Sequence, residues 1–145
     1  MTLELNNTQF ENLMKLAWLG NWIINANRTE TFEEYEQALQ LVLSRAAEAG
    51  LENSVEKDEE CGAYFPTDDF EEYLQSFVDE YAEENFWDAL VERLAERDIE
   101  EKYNAAQIEA MAAPARIDLW EKFEERYLAE FEKNGVGRLR IADGK

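Results

Sequence analysis

The stretch that decides the fold is Pro114–Gly135, PARIDLWEKFEERYLAEFEKNG. Leu119, Phe123, Tyr127 and Phe131 recur every four residues with Trp120 beside them, so a 3.6-residue turn stacks all five along one side of a helix. Pro114 suits the first turn, where its missing amide hydrogen costs nothing, and Asn134-Gly135 is a natural stop. Asp118 to Lys122 and Arg126 to Glu130 have the spacing of favourable i,i+4 ion pairs.

Moving upstream, the pattern weakens between Asp98 and Ala113, where Ile99, Tyr103, Ile108 and Met111 mark a short helix. Before it, Trp87, Leu90, Val91 and Leu94 place a helix from about Glu84 to about Asp98. A further helix should begin after Pro66, with Thr67 as its cap and Asp68 and Asp69 as favourable first-turn charges. Its buried stripe would be Phe70, Tyr73, Leu74, Phe77, Val78 and Tyr81.

Residues 51–66 have neither a helical nor a strand period and contain Gly62 and Pro66, so they read as a long loop with room for a short helix. The pair Thr31 and Glu34 forms a capping-box pattern ahead of Phe32, Tyr35, Leu39, Val42, Leu43 and Ala46, which share one arc up to a stop at Gly50. Thr8 and Glu11 repeat the box at the start of a helix running to about Asn27. Phe10, Leu13, Met14, Ala17 and Ile24 form its stronger face, yet Leu16, Leu19, Trp22 and Ile23 cover the other side, which suits the middle of a fold. Past Gly137, Arg138-Leu139-Arg140-Ile141 alternates like an extended segment. The expectation is an all-α, bundle-like single domain over residues 1–145, with five or six helices, a long loop around 51–66 and an extended C-terminal tail at 136–145.

Composition agrees with one folded core. The chain has 145 residues, is 46% hydrophobic and carries 8 Phe, 6 Tyr and 4 Trp, too much apolar surface for a disordered acidic tail. Cys61 is the sole cysteine and cannot form an internal disulfide, and no apolar run follows a basic start, so the cytoplasm is the expected compartment. The most apolar stretch, Leu16–Ala26, is about half the length a bilayer requires and includes Asn21 and Asn25. A net charge of -20 repels phosphate backbones and anionic lipids, so neither direct nucleic-acid binding nor membrane binding is expected.

Most catalytic chemistry has no foothold. Without a histidine there is no ordinary proton shuttle near neutral pH, no Ser-His or Cys-His pair and none of the commonest zinc ligands. No phosphate-cradling glycine loop, EF-hand loop or Glu-x-x-His pair is present. With 34 acids, finding two carboxylates at a hydrolase-like spacing carries no information. Neither an enzyme, nor a cofactor, nor a specific metal is expected.

Three features remain. From Glu52 to Glu84 the chain holds 13 acids against Lys57 alone, more than half of the whole net charge, whereas Met1–Asn27 nets only -1. A solvated outer face is the plainer reading of such a run. The functional reading is an intracellular interaction module that docks a basic protein through Glu71, Glu72, Asp79 and Glu80, or in a sharper form imitates DNA and so inhibits a nucleic-acid-binding protein. The second feature is Asn21 and Asn25, four residues apart beside Trp18 and Trp22. They could line a small-ligand pocket between helices, although buried amides more often serve neighbouring helices and backbone. The third is the basic tail, net +2 from Asn134 onward, which could clip the acidic 52–84 region in the same molecule or in a second copy, giving a homo-oligomer. Cys61 lies next to Glu60 in electronegative surroundings that blunt a thiol's reactivity, and is read as incidental.

Overall fold

Two capping patterns compete at the start of the chain, and the upstream one is used. In the computed structural model, which describes residues 2–140, helix α1 spans Asn7–Asn25 and is capped by Asn6. The Asn6 side chain accepts from the Gln9 amide at 2.9 Å and the Gln9 side chain accepts from the Asn6 amide at 3.0 Å. The box expected at Thr8 and Glu11 is not formed, in keeping with the stronger N-cap preference of asparagine over threonine.

The box expected at Thr31 and Glu34 is also not formed. Helix α2, Glu33–Leu43, starts after Phe32 without a local side-chain cap. The Phe32 amide is satisfied instead by Asn25 Oδ1 of α1 at 2.9 Å, so a tertiary contact replaces the local one. Beyond α2 a short 3₁₀ turn, Ala46–Ala49, closes on Gly50, whose φ of 71° is the left-handed conformation that glycine favours.

Residues 51–66 hold a small antiparallel hairpin rather than an irregular loop. Strands β1, Val55–Lys57, and β2, Tyr64–Pro66, pair Val55 with Pro66, Glu56 with Phe65 and Lys57 with Tyr64. Asp58 organises the turn: its carboxylate accepts the Glu60 and Cys61 amides at 2.8 Å each, and Gly62 turns with φ 73°. These backbone donors, chiefly Cys61, hold the Asp58 carboxyl below the usual carboxylate range. Gln40 of α2 grips β2 at both ends of its amide, donating to the Tyr64 carbonyl at 2.8 Å and accepting the Tyr64 amide at 2.7 Å.

Helix α3 runs unbroken over Asp68–Lys102, where two helices were expected. The segment Ala82-Glu83-Glu84-Asn85 lacks large apolar residues but also lacks glycine and proline, and polarity alone does not stop a helix. The Thr67 hydroxyl donates to the Asn53 carbonyl, tying the helix start to the hairpin. After α3 come α4, Ala105–Glu109, capped by the Asn104–Gln107 box, and α5, Ala113–Asn134, with Pro114 in its first turn and Gly135 at its end. The mostly helical class, the short helix before α5 and both ends of α5 are as expected from the sequence.

The chain divides into two compact units, Met1–Glu80 and Tyr81–Lys145. The first is built on Met14, Trp18, Leu39, Leu43, Ala46, Leu74 and Val78, with Phe10, Trp22, Val55 and Tyr64 packed around them. Helix α1 is not central there: Leu16 and Ile23 stay exposed on its outer side. The second unit is built on Ala95, Ile99 and Phe123 with Leu119, Trp120 and Tyr127, while Trp87 meets Phe131 with ring centroids 5.6 Å apart. Among the described residues no helix is long and apolar enough to cross a membrane.

Candidate functional site

The residues singled out on α3 owe their position to a narrow buried arc. Of the stripe expected to be buried, Leu74 and Val78 are, but Tyr73 and Phe77 remain 45% and 41% exposed and Tyr81 is exposed as well. The core needs only part of an apolar face this wide.

With about 100° per residue, Asp69, Glu72, Asp79 and Glu80 fall within an arc of about 100° that points away from Leu74 and Val78. All four are exposed, and Asp69 to Glu80 spans about 16 Å along the axis. Glu71 is exposed but lies toward the Val78 side, so it does not share this face. Of the four acids picked from the sequence, three therefore converge. Asp69, named in the sequence only as a first-turn charge, joins them, and a helical wheel of this segment contains the signal that finds it.

Tyr73 and Phe77 border the acidic arc, edge to face with centroids 5.1 Å apart. One cation sits at this aromatic margin: Lys15 Nζ of α1 lies 4.9 Å from the Tyr73 ring centroid while paired with Glu11 at 2.7 Å. Glu11 first and Tyr73 after it raise the Lys15 pKa. Among the described residues none of Asp69, Glu71, Glu72, Asp79 and Glu80 forms an ion pair, and Asp79 accepts only from Gln75 at 2.9 Å. The result is an uncompensated anionic surface with an aromatic margin on a regular helix.

The residues of the alternative pocket lie together but are used by the fold. Trp18 is a core side chain of the first unit, and Trp22 packs against that core. Asn25 is buried, takes the Phe32 amide on Oδ1 and donates from Nδ2 to Asn21 Oδ1 at 2.9 Å. Asn21 passes the chain of bonds on to Glu36 of α2 at 3.3 Å. Together they staple α1 to α2.

In the second unit Asp98 is the hub of a polar lock. Its carboxylate accepts from Tyr127 Oη at 2.6 Å, from Arg97 at 2.7 and 3.0 Å, and from Arg126. Arg126 thus reaches across to α3 rather than to Glu130, and Glu130 instead receives Arg138 at 2.9 Å. Arg138 of the tail is paired with Glu130 of its own helix; Ile141 and the residues beyond it lie outside the described residues. The Tyr127 hydroxyl above all, with the two guanidinium groups, holds the Asp98 carboxyl down at about 2. Burial and the same hydrogen bond raise Tyr127.

Clefts on this unit include one of about 470 Å³ lined by Glu96, Glu100, Tyr103, Arg116 and Trp120, among others, and a shallower one at Ile117, Glu121 and Glu124. Among the described residues no group of three acids or cysteines is placed to hold a metal ion, and Cys61 is exposed and unpaired. Comparison of the chain with protein-family models, with curated proteins and with solved structures returns no match.

Proposed function

We propose that the chain is a protein-interaction module whose α3 face receives a basic partner. The observation that carries this reading is the convergence of Asp69, Glu72, Asp79 and Glu80 on one exposed arc beside Tyr73 and Phe77, with no cation paired to any of the four acids among the described residues. Carboxylates with no partner cation attract a cationic surface over about a Debye length, and exposed aromatic rings add attraction for lysine and arginine at contact. The Lys15 ammonium over Tyr73 is an intramolecular instance of that contact. A regular helix holds the acids in fixed register, so binding does not first have to order them.

The test is capture of partners from native lysate at low and high salt by wild-type protein and by the triple variant Glu72→Gln, Asp79→Gln, Glu80→Gln. The expected result is a basic protein held by the wild type at low salt, released at high salt and missed by the variant. Retention that ignores both salt and substitution would sink the reading. Displacement of the captured protein by DNA would narrow it to imitation of a nucleic acid.

A further inference from the structure

In a chain with 34 acids and 14 bases, a hollow lined by cations and free of carboxylates is out of keeping with the rest of the surface. One such hollow lies in the second unit, lined by Lys102 and Tyr103 at the end of α3 and by Leu119, Lys122, Phe123 and Arg126 of α5. The other clefts described on this unit all include glutamate in their walls.

Its floor is the buried ring of Phe123, with Lys102 Nζ 5.0 Å and Arg126 Cζ 5.9 Å from the ring centroid. Lys122 and Arg126, four residues apart on α5, rise from the same side of that helix. Among the described residues neither Lys102 nor Lys122 forms an ion pair. Arg126 is anchored through Nη2 to Asp98 and Tyr127, which fixes the guanidinium and leaves its Nε and Nη1 hydrogens without a hydrogen-bond partner among the described residues. Lys102 alone could be explained by the negative end of the α3 dipole, but Lys122 sits in mid-helix and has no such role.

We infer that this hollow binds a phosphate group. Lys102 and Lys122 carry two uncompensated like charges over an apolar floor, and a compact anion between them relieves their repulsion while accepting charge-assisted hydrogen bonds from both ammonium groups and from the free edge of the Arg126 guanidinium, whose own charge Asp98 already offsets. The volume of about 170 Å³ equals the share of five or six liquid waters at ~30 Å³ each. That is room for one phosphate and its residual hydration, and well short of the roughly 300 Å³ at which pockets for drug-sized ligands begin. The strongly negative field of the whole chain keeps the site weak and selective for groups that meet all three cations at once.

The experiment is titration of ¹⁵N-labelled full-length protein with inorganic phosphate and, separately, with phosphoserine, at constant ionic strength, against chloride as control. Saturable amide shifts confined to the surroundings of Lys102, Lys122 and Arg126 are expected. They should weaken about tenfold or more in the double variant Lys102→Gln, Lys122→Gln. Arg126 is left in place because it braces Asp98, and Lys133→Gln, which removes a cation outside the hollow, should leave the binding unchanged. Tighter binding of phosphoserine would mark a phosphorylated ligand, and equal binding a free ion. Shifts that are linear or spread over the surface, that chloride reproduces, or that persist in the correctly folded double variant overturn the inference.

Discussion

Replacing Asp98 by asparagine removes the charge at the centre of the α3–α5 lock while keeping its shape. A carboxyl held at about 2 against an ordinary 3.8 corresponds to at most about 2.4 kcal/mol favouring the folded state, at 1.36 kcal/mol per unit. Arg97 and Arg126 are 57% and 59% exposed, so screening reduces the realistic contribution to about 1 kcal/mol. Because the folded-state value is depressed, the stabilisation is fully present above about pH 4 and disappears as pH falls toward 2. In urea denaturation at pH 7, Asp98→Asn should lower the midpoint by about 0.5 M, for a slope of about 2 kcal/mol per M. The same comparison just below pH 2 should show the two proteins drawing together. Comparing variant with wild type at each pH cancels the larger titration of the remaining acids. Amide exchange at residues 95–102 and 123–131 should accelerate about fivefold at pH 7, reporting on the second unit itself. A variant as stable as wild type at pH 7, or a gap that stays constant into acid, would refute the assignment of Asp98 as the hub.

Asn25→Ala should destabilise the first unit by about 1–3 kcal/mol, because it strands the Phe32 amide and removes the partner of Asn21; an unchanged thermal midpoint would show the staple to be dispensable. Gly135→Ala should cost about 1–3 kcal/mol, since φ 53° with ψ -142° is a conformation nearly reserved for glycine, and the added methyl meets nothing closer than Trp87 at 3.9 Å. Calorimetry of the variant would expose a neutral substitution. Leu43→Ala, at a position 1% exposed, should lose about 2–5 kcal/mol in chemical denaturation, and a smaller loss would mean that the first core can collapse around the gap.

Helix α5 was legible because every local signal there agrees: period, Pro114 at one end and Gly135 at the other. The starts of α1 and α2 were not, because two capping patterns overlapped at one and a distant side chain supplied the bond at the other. The hairpin has three-residue strands, too short to show an alternation, although Val55, the aromatic pair Tyr64-Phe65 and the Asp58–Gly62 turn are its trace. On α3 the apolar period is plain in the sequence, but how much of it the core uses depends on what packs against it, so Tyr73 and Phe77 lie at the surface although they belong to that stripe. The phosphate hollow depends on Lys102 and Lys122, which belong to different helices and share no local pattern.

The grip of Gln40 on Tyr64 bears on how this chain avoids sticking to itself. A two-stranded hairpin has two free edges, and an edge with open amides and carbonyls is a template for strands of other molecules. Along β2 both main-chain groups of Tyr64 are taken by the Gln40 amide, and Pro66 has no amide hydrogen to offer. One side chain from a neighbouring helix thus closes the β2 edge, one of the two that a second molecule could extend, and Gln40→Ala would open it to intermolecular β-pairing even where the hairpin itself survives.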